Sequence, residues 1–148
     1  MAETTVRWLT GKQFVGTDST HHSVVLSTPD EGVGMKPSEL LLVALSACTA
    51  VDMVEILPKK RMPLSSLEIR ATGEQDPTPP WAFRKIHLFY RVSREDITEK
   101  DVAHAIQLSE EKYCSVAATL RGVAEISTSF EIVNPDRLPL EPAALTAA

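Results

Sequence analysis

One apolar segment constrains the fold of this chain more than any other feature of its sequence. Between Pro37 and Pro58, residues 40–50 are apolar apart from one serine and one threonine. Pro37 suits the first turn of a helix, where its missing N–H costs nothing, and Glu39 in that turn complements the helix dipole. Pro58 is expected to end the helix. A helix that is apolar on nearly all sides is buried on all sides, so we predict that a sheet and a second subunit cover it.

Short alternating segments on both sides of this helix predict strands. Three lie before it and three after it, and turn residues separate them. The best of them alternates Ile86, Leu88, Tyr90 and Val92 with Lys85, His87, Phe89 and Arg91, as a half-buried strand does. The predicted strands cover residues 5–9, 13–17, 23–27, 67–72, 85–92 and 124–133.

A second long helix is predicted between the last two strands. Thr98 with Asp101 three residues later matches a capping box. The helix is expected to extend towards Leu120, and the sequence leaves open whether it is continuous or breaks near residues 109–112. The element order is then β-β-β-α-β-β-α-β, which predicts an α+β fold with largely antiparallel sheet.

The length of the chain fits a single domain. The 148 residues fit one domain of ordinary size. We predict one domain over residues 1–134, followed by a Pro- and Ala-rich tail over residues 135–148.

Several classes of function lack support in the sequence. The net charge of −5 argues against a nucleic-acid partner. The polar first residues do not suggest a signal peptide, and the run over residues 40–50 is too short to span a membrane, so we expect a cytoplasmic protein without a membrane partner. The four histidines show no zinc spacing, and no glycine-rich phosphate loop is present. We therefore expect no metal and no cofactor.

The two cysteines carry the question of function. In a reducing compartment they are not expected to form a permanent disulfide bridge, so they are either buried side chains that fill the core or reactive thiols. Cys48 lies in the apolar helix among small residues, which is compatible with both readings. A helix break just before Cys114 would place that thiol at a helix N-terminus, where thiolates are stabilised. In a continuous helix, Glu110 and Glu111 would disfavour its thiolate.

Two segments resemble a known family. Residues 36–48, KPSELLLVALSAC, resemble the first cysteine helix of the OsmC/Ohr family of osmotically inducible and organic hydroperoxide resistance proteins. Residues 111–117, EKYCSVA, look like its second cysteine segment, in the form of the YhfA-like branch. The order of elements also fits from Thr4 to Val133.

The resemblance implies an OsmC-like intertwined homodimer whose long central helices pack between antiparallel sheets. It implies an oxidative-stress enzyme that reduces organic hydroperoxides with two cysteines, Cys48 as the peroxidatic and Cys114 as the resolving one. A dithiol, for example one of lipoyl type, would supply the electrons. Two alternatives keep the same fold: a non-catalytic redox sensor, and a structural or small-molecule-binding dimer.

The same resemblance implies that Glu39 is a site residue, and it also shows one departure of this sequence from the family pattern. Glu39 matches the family's glutamate, although it lies one residue nearer to the cysteine than in the Ohr form. The family holds its thiolate with an arginine upstream of that glutamate, and no arginine lies between Arg7 and Glu39. Lys36, Lys12 or Arg7 is therefore the expected thiolate-stabilising cation, although a lysine lacks the fork of a guanidinium.

Overall fold

The computed structural model describes residues 1–133, in which two compact units occur. The first covers Met1–Val43 and the second begins at Ala44. Helix α1 (Pro37–Lys59) starts in the first unit and continues into the second. The prediction of one domain over residues 1–134 stays a prediction, and the predicted tail over residues 135–148 lies outside the described residues.

The first unit is a three-stranded meander. It consists of β1 (Thr5–Thr10), β2 (Gln13–Thr17) and β3 (Ser23–Ser27), each antiparallel to the next. Gly11 turns β1 into β2 with a φ of 49°, a left-handed conformation that glycine adopts without strain. All three strands lie where the sequence predicts them, with β1 one residue longer.

The second unit contains a sheet in the order β4-β5-β6. Its strands are β4 (Ser66–Gln75), β5 (Phe83–Ser93) and β6 (Glu125–Ile132). β4 pairs antiparallel with β5, whereas β6 pairs parallel with β5 because the intervening helices carry the chain back across the sheet. One face of β5 is completely buried and forms the core, through Ile86, Leu88, Tyr90 and Val92. The predicted α+β class is confirmed.

Within the single chain, helix α1 buries one face only. Leu45, Thr49, Met53 and Leu57 recur every four residues and are fully buried. On the opposite face Ala47, Val51 and Val54 follow one another at helical spacing, and the two valines are 54% and 51% exposed. Within residues 1–133 the apolar residues on this second face are exposed, so burial on all sides still requires the predicted second subunit.

The ends and length of α1 also differ from the sequence prediction. Pro58 lies inside the helix, which continues to Lys59, since proline in the last turn still adopts a helical φ. The helix has 23 residues and is long and apolar enough to cross a membrane by length and composition. The core helix of a soluble protein passes the same test, so the criterion alone assigns α1 to neither environment.

The predicted second helix is present but divided. Helix α2 (Glu99–Leu108) begins at Thr98, and the predicted capping box with Asp101 is formed in both directions. A π-turn (Ser109–Tyr113) follows, and then the short helix α3 (Ser115–Leu120). Of the two possibilities that the sequence left open, a continuous helix and a break near residues 109–112, the structure has the break, which falls directly before Cys114.

Candidate active site

The π-turn determines where Cys114 lies. The N–H of Cys114 donates to the carbonyl of Ser109, five residues back, at 2.8 Å. Cys114 then adopts an extended conformation and becomes the N-cap of α3, with its Sγ accepting from the N–H of Ala117 at 3.3 Å. The residue is only 2% exposed. Single π-turns inside helices occur frequently at functional sites.

Cys48 lies on α1 and contacts Cys114 and the first residues of α3, directly after the π-turn. Its thiol is free, as is that of Cys114, and the two thiols are hydrogen-bonded to each other. The sulfur of Cys48 also accepts from the Ser115 hydroxyl and from the backbone N–H of Val116. The structure thus brings together the two cysteines that lie 66 residues apart in the sequence.

The surroundings of Cys48 favour its thiolate. Burial raises the pKa of this thiol, but hydrogen bonds from the Cys114 thiol, the Val116 N–H and the Ser115 hydroxyl lower it. The carboxylate of Asp52 opposes them with a smaller effect. The net result is a Cys48 pKa below that of an ordinary thiol. Hydrogen bonds to the charged form therefore outweigh desolvation at this sulfur.

The surroundings of Cys114 have the opposite effect. Burial, and then the hydrogen bond to Cys48, raise the pKa of Cys114 to about 11, although the N–H groups of Ala117 and Val116 pull it down. Cys114 therefore stays protonated near neutral pH and donates to the Cys48 sulfur. Its position at a helix N-terminus does not give it a stabilised thiolate, because burial and the hydrogen bond to Cys48 outweigh the effect of the Ala117 and Val116 N–H groups on its pKa.

Asp52 and Ser109 adjoin the cysteine pair, and the sequence analysis did not identify either. The hydroxyl of Ser109 donates to Oδ2 of Asp52 at 2.6 Å, and Ser109 is completely buried. Asp52 follows Cys48 by one helical turn, which was the only signal in the sequence. Ser109 lies 57 residues further along the chain and is one of many serines.

Two further polar groups are buried near the thiols. Burial raises the pKa of Tyr90 to about 12, against an opposing contribution from the Thr49 hydroxyl, so the phenol stays neutral. Burial also raises the pKa of Glu110, which the Arg121 guanidinium partly counteracts. Within residues 1–133, the Tyr90 hydroxyl and Oε1 of Glu110 have no hydrogen bond of good geometry.

The remaining predicted site residues all lie in the first unit. Glu39 forms an ion pair with Lys36 in the first turn of α1. Lys12 forms an ion pair with Asp30 at 2.8 Å. Arg7 lies on the exposed strand β1. Their roles at the thiol pair stay predictions.

Comparison with known proteins identifies the family. The model of the family described as OsmC-like protein matches residues 28–129, more than half of the chain. The chain belongs to the OsmC-like family. Protein YhfA of Escherichia coli is 34% identical to it over 128 residues, which cover 86% of this chain and 96% of YhfA. The predicted resemblance to the YhfA-like branch is thereby confirmed.

Solved structures of the OsmC-like type share the fold. A hypothetical protein from Aquifex aeolicus is 28% identical, with a TM-score of 0.81 over 90% of this chain and 97% of that one. The organic hydroperoxide resistance protein OhrB of Bacillus subtilis is 16% identical, with a TM-score of 0.62 over 88% and 98% of the two chains. At that identity, OhrB shows a shared fold and nothing more. The OsmC-like fold is a small soluble one.

Proposed function

We propose that this OsmC-like protein reduces organic hydroperoxides through Cys48 and Cys114. The observation that carries the proposal is the hydrogen-bonded thiol pair, in which one pKa is lowered and the other raised. A peroxidatic cysteine needs a thiolate, and a resolving cysteine must wait as a thiol within reach of it. The name of OhrB, a protein of the same fold, supports the choice of organic hydroperoxides.

The proposed cycle has three balanced steps. The Cys48 thiolate attacks one peroxide oxygen, the O–O bond breaks, and the alkoxide takes a proton from water and leaves as an alcohol. Cys48 is now a sulfenic acid, which the sulfur of Cys114 attacks; the Cys114 proton and the departing hydroxide form water, and a disulfide remains. An external dithiol then reduces this disulfide and is itself oxidised to a disulfide.

A homodimer is part of the proposal. The uncovered apolar face of α1 (Ala47, Val51 and Val54) offers a surface for a second copy, and the fold family is generally dimeric. In such a dimer, Glu39 and one of the cations Lys36, Lys12 and Arg7 would complete the site. We place the protein in the cytoplasm, where a dithiol, for example of lipoyl type, is available as reductant.

The direct test is turnover. The reduced protein is mixed with an organic hydroperoxide, such as cumene hydroperoxide, and a dithiol in excess, and loss of hydroperoxide is followed. We expect many equivalents to be consumed per chain, faster than by the dithiol alone. Consumption no faster than in the dithiol control would show that the protein is not a peroxidase under these conditions.

Ser115→Ala tests the origin of the Cys48 thiolate. Loss of the hydroxyl should raise the Cys48 pKa and lower its alkylation rate at neutral pH by roughly three- to tenfold, because a hydrogen bond to a charged group contributes about 1.5–3 kcal/mol and solvent replaces part of it here. The pH profile of alkylation measures this, with Ser127→Ala on β6 as the matched control. An unchanged profile would mean that the hydroxyl does not stabilise the thiolate.

The predicted cation can be tested in the same assay. Charge-neutral variants of Lys36, Lys12 and Arg7 are expected to include one that shifts the alkylation profile strongly to higher pH. If none of the three does so, the hydrogen bonds from Cys114, Ser115 and Val116 stabilise the thiolate without a cation, and the predicted role of a cation is wrong.

One observation favours a second function, that of a redox sensor. The charged side chain that acts on Cys48 within the second unit is the carboxylate of Asp52, which raises the Cys48 pKa and so slows attack on peroxide. A sensor would oxidise once to the disulfide and lack rapid turnover with any dithiol. The turnover assay separates the two functions, because both predict the disulfide but only the enzyme predicts catalysis.

A further inference from the structure

Four hydrogen bonds fix Ser109 at the start of the π-turn. Its backbone N–H donates to the carbonyls of Ala105 and Ile106 in α2. Its own carbonyl accepts from the N–H of Cys114 at 2.8 Å. Its hydroxyl, completely buried, donates to Oδ2 of Asp52 on α1 at 2.6 Å. Ser109 therefore connects α1 and α2 with the residue that carries the second thiol.

The bond to Asp52 closes a ring that contains both cysteines. Asp52 follows Cys48 by four residues, so the two side chains lie on the same face of α1, one turn apart. From Asp52 the ring passes through the hydroxyl and carbonyl of Ser109 to the N–H of Cys114. The hydrogen bond between the two thiols completes it.

We propose that the hydrogen bond between Asp52 and Ser109 is a clamp that positions Cys114 against Cys48 and thereby sets how readily the two form a disulfide. Asp52 and Ser109 are positioning residues, since neither touches a reacting atom. The inference rests on the proposed function, because it concerns the resolving step of that cycle. In this proposal the clamp affects the formation of the disulfide from the Cys48 sulfenic acid, and it does not affect the attack of Cys48 on peroxide.

The geometry of the π-turn explains why a clamp is needed. A π-turn contains one residue more than the corresponding α-helical turn and is seldom stable by itself. A disulfide requires the two Cα atoms within about 7 Å, and a misplacement of about 1 Å can cost a reaction roughly a hundredfold in rate. The Asp52 carboxylate is a charged acceptor, so its bond to a buried hydroxyl is among the stronger ones.

The charge of Asp52 and its hydrogen bond have separable effects. The charge raises the pKa of Cys48 and so disfavours the thiolate that attacks peroxide. The hydrogen bond acts on the position of Cys114. Asp52→Asn removes the charge and keeps an acceptor oxygen, whereas Asp52→Ala removes both, so the difference between these variants reports the hydrogen bond alone.

The test is the equilibrium constant for the Cys48–Cys114 disulfide in buffers of reduced and oxidised dithiothreitol. We expect Ser109→Ala to lower this constant at least roughly tenfold, equivalent to about 30 mV. Ser93→Ala is the matched control, because Ser93 is also completely buried. Its hydroxyl, on β5, is hydrogen-bonded at 2.6 Å to the hydroxyl of Ser66 on β4. This control should leave the constant within roughly twofold of the wild type.

The aspartate pair gives a second measurement, which is decisive if Ser109→Ala does not fold. The equilibrium constant of Asp52→Ala should be at least roughly tenfold lower than that of Asp52→Asn. Alanine is a strong helix former, so this substitution should not disrupt α1. Equal constants for Asp52→Ala and Asp52→Asn, or equal constants for Ser109→Ala and Ser93→Ala, would overturn the clamp. No hydroperoxide takes part in this equilibrium. The clamp can therefore be refuted while the turnover assay supports the proposed peroxidase, and the clamp can be supported while that assay refutes the peroxidase.

Discussion

Cys48→Ser is expected to reduce hydroperoxide consumption to that of the dithiol alone. A serine hydroxyl is essentially un-ionised at neutral pH, and the hydrogen bonds that favour the Cys48 thiolate cannot make it a comparable nucleophile. The change is small in volume, and the thiol is half-buried, so the fold should be retained. Turnover with cumene hydroperoxide measures the effect.

Cys114→Ser is the matched variant in the same pair. Its hydroxyl can still donate to the Cys48 sulfur, so we expect the first oxidation to proceed and to stop at the sulfenic acid. Without added dithiol, one equivalent of hydroperoxide should then be consumed per chain, and a dimedone-type reagent should label Cys48. If Cys48→Ser keeps its turnover, the assignment of the nucleophile is wrong.

A charge on the uncovered face of α1 is expected to separate the subunits of the proposed dimer. Val51 is 54% exposed in the single chain, on the face opposite the buried stripe. In a two-fold symmetric dimer, Val51→Asp buries two unpaired carboxylates, and such burial costs several kcal/mol for each charge. The dissociation constant should rise by at least about a hundredfold. Sedimentation at micromolar concentration measures it.

Val123→Asp provides the control for this variant. Val123 is 62% exposed in the turn after α3, so the same change there adds the same charge away from α1. It should leave the dissociation constant close to that of the wild type. A wild-type protein that sediments as a folded monomer, or a Val51→Asp variant that stays dimeric, would contradict the assignment of this face.

The elements that dominate the fold were predictable because their signals are local. The capping box at Thr98 and the alternation along β5 depend on residues within a few positions of each other, and both are present in the structure. The apolar run of α1 predicted the helix itself. It could not show which face the single chain covers, since that depends on the sheet packed against it, and burial of the other face stays a prediction that needs a second subunit.

The site was predictable only as far as its residue types carry the chemistry. Cys48 and Cys114 could be singled out, but their contact depends on a π-turn for which the segment SEEKY has no sequence signature. Val116 contributes a backbone N–H, which any residue except proline could supply, so its side chain gave no indication. Ser115 was visible only as a polar residue next to a cysteine, and Asp52 only as an acid one turn beyond the other.

The most direct measurement is a single turnover without reductant. The reduced wild-type protein is treated with one equivalent of organic hydroperoxide, the remaining thiols are alkylated, and the peptides are analysed by mass spectrometry. We expect a disulfide between Cys48 and Cys114 and consumption of the hydroperoxide. Recovery of both cysteines alkylated, with the hydroperoxide intact, would contradict it.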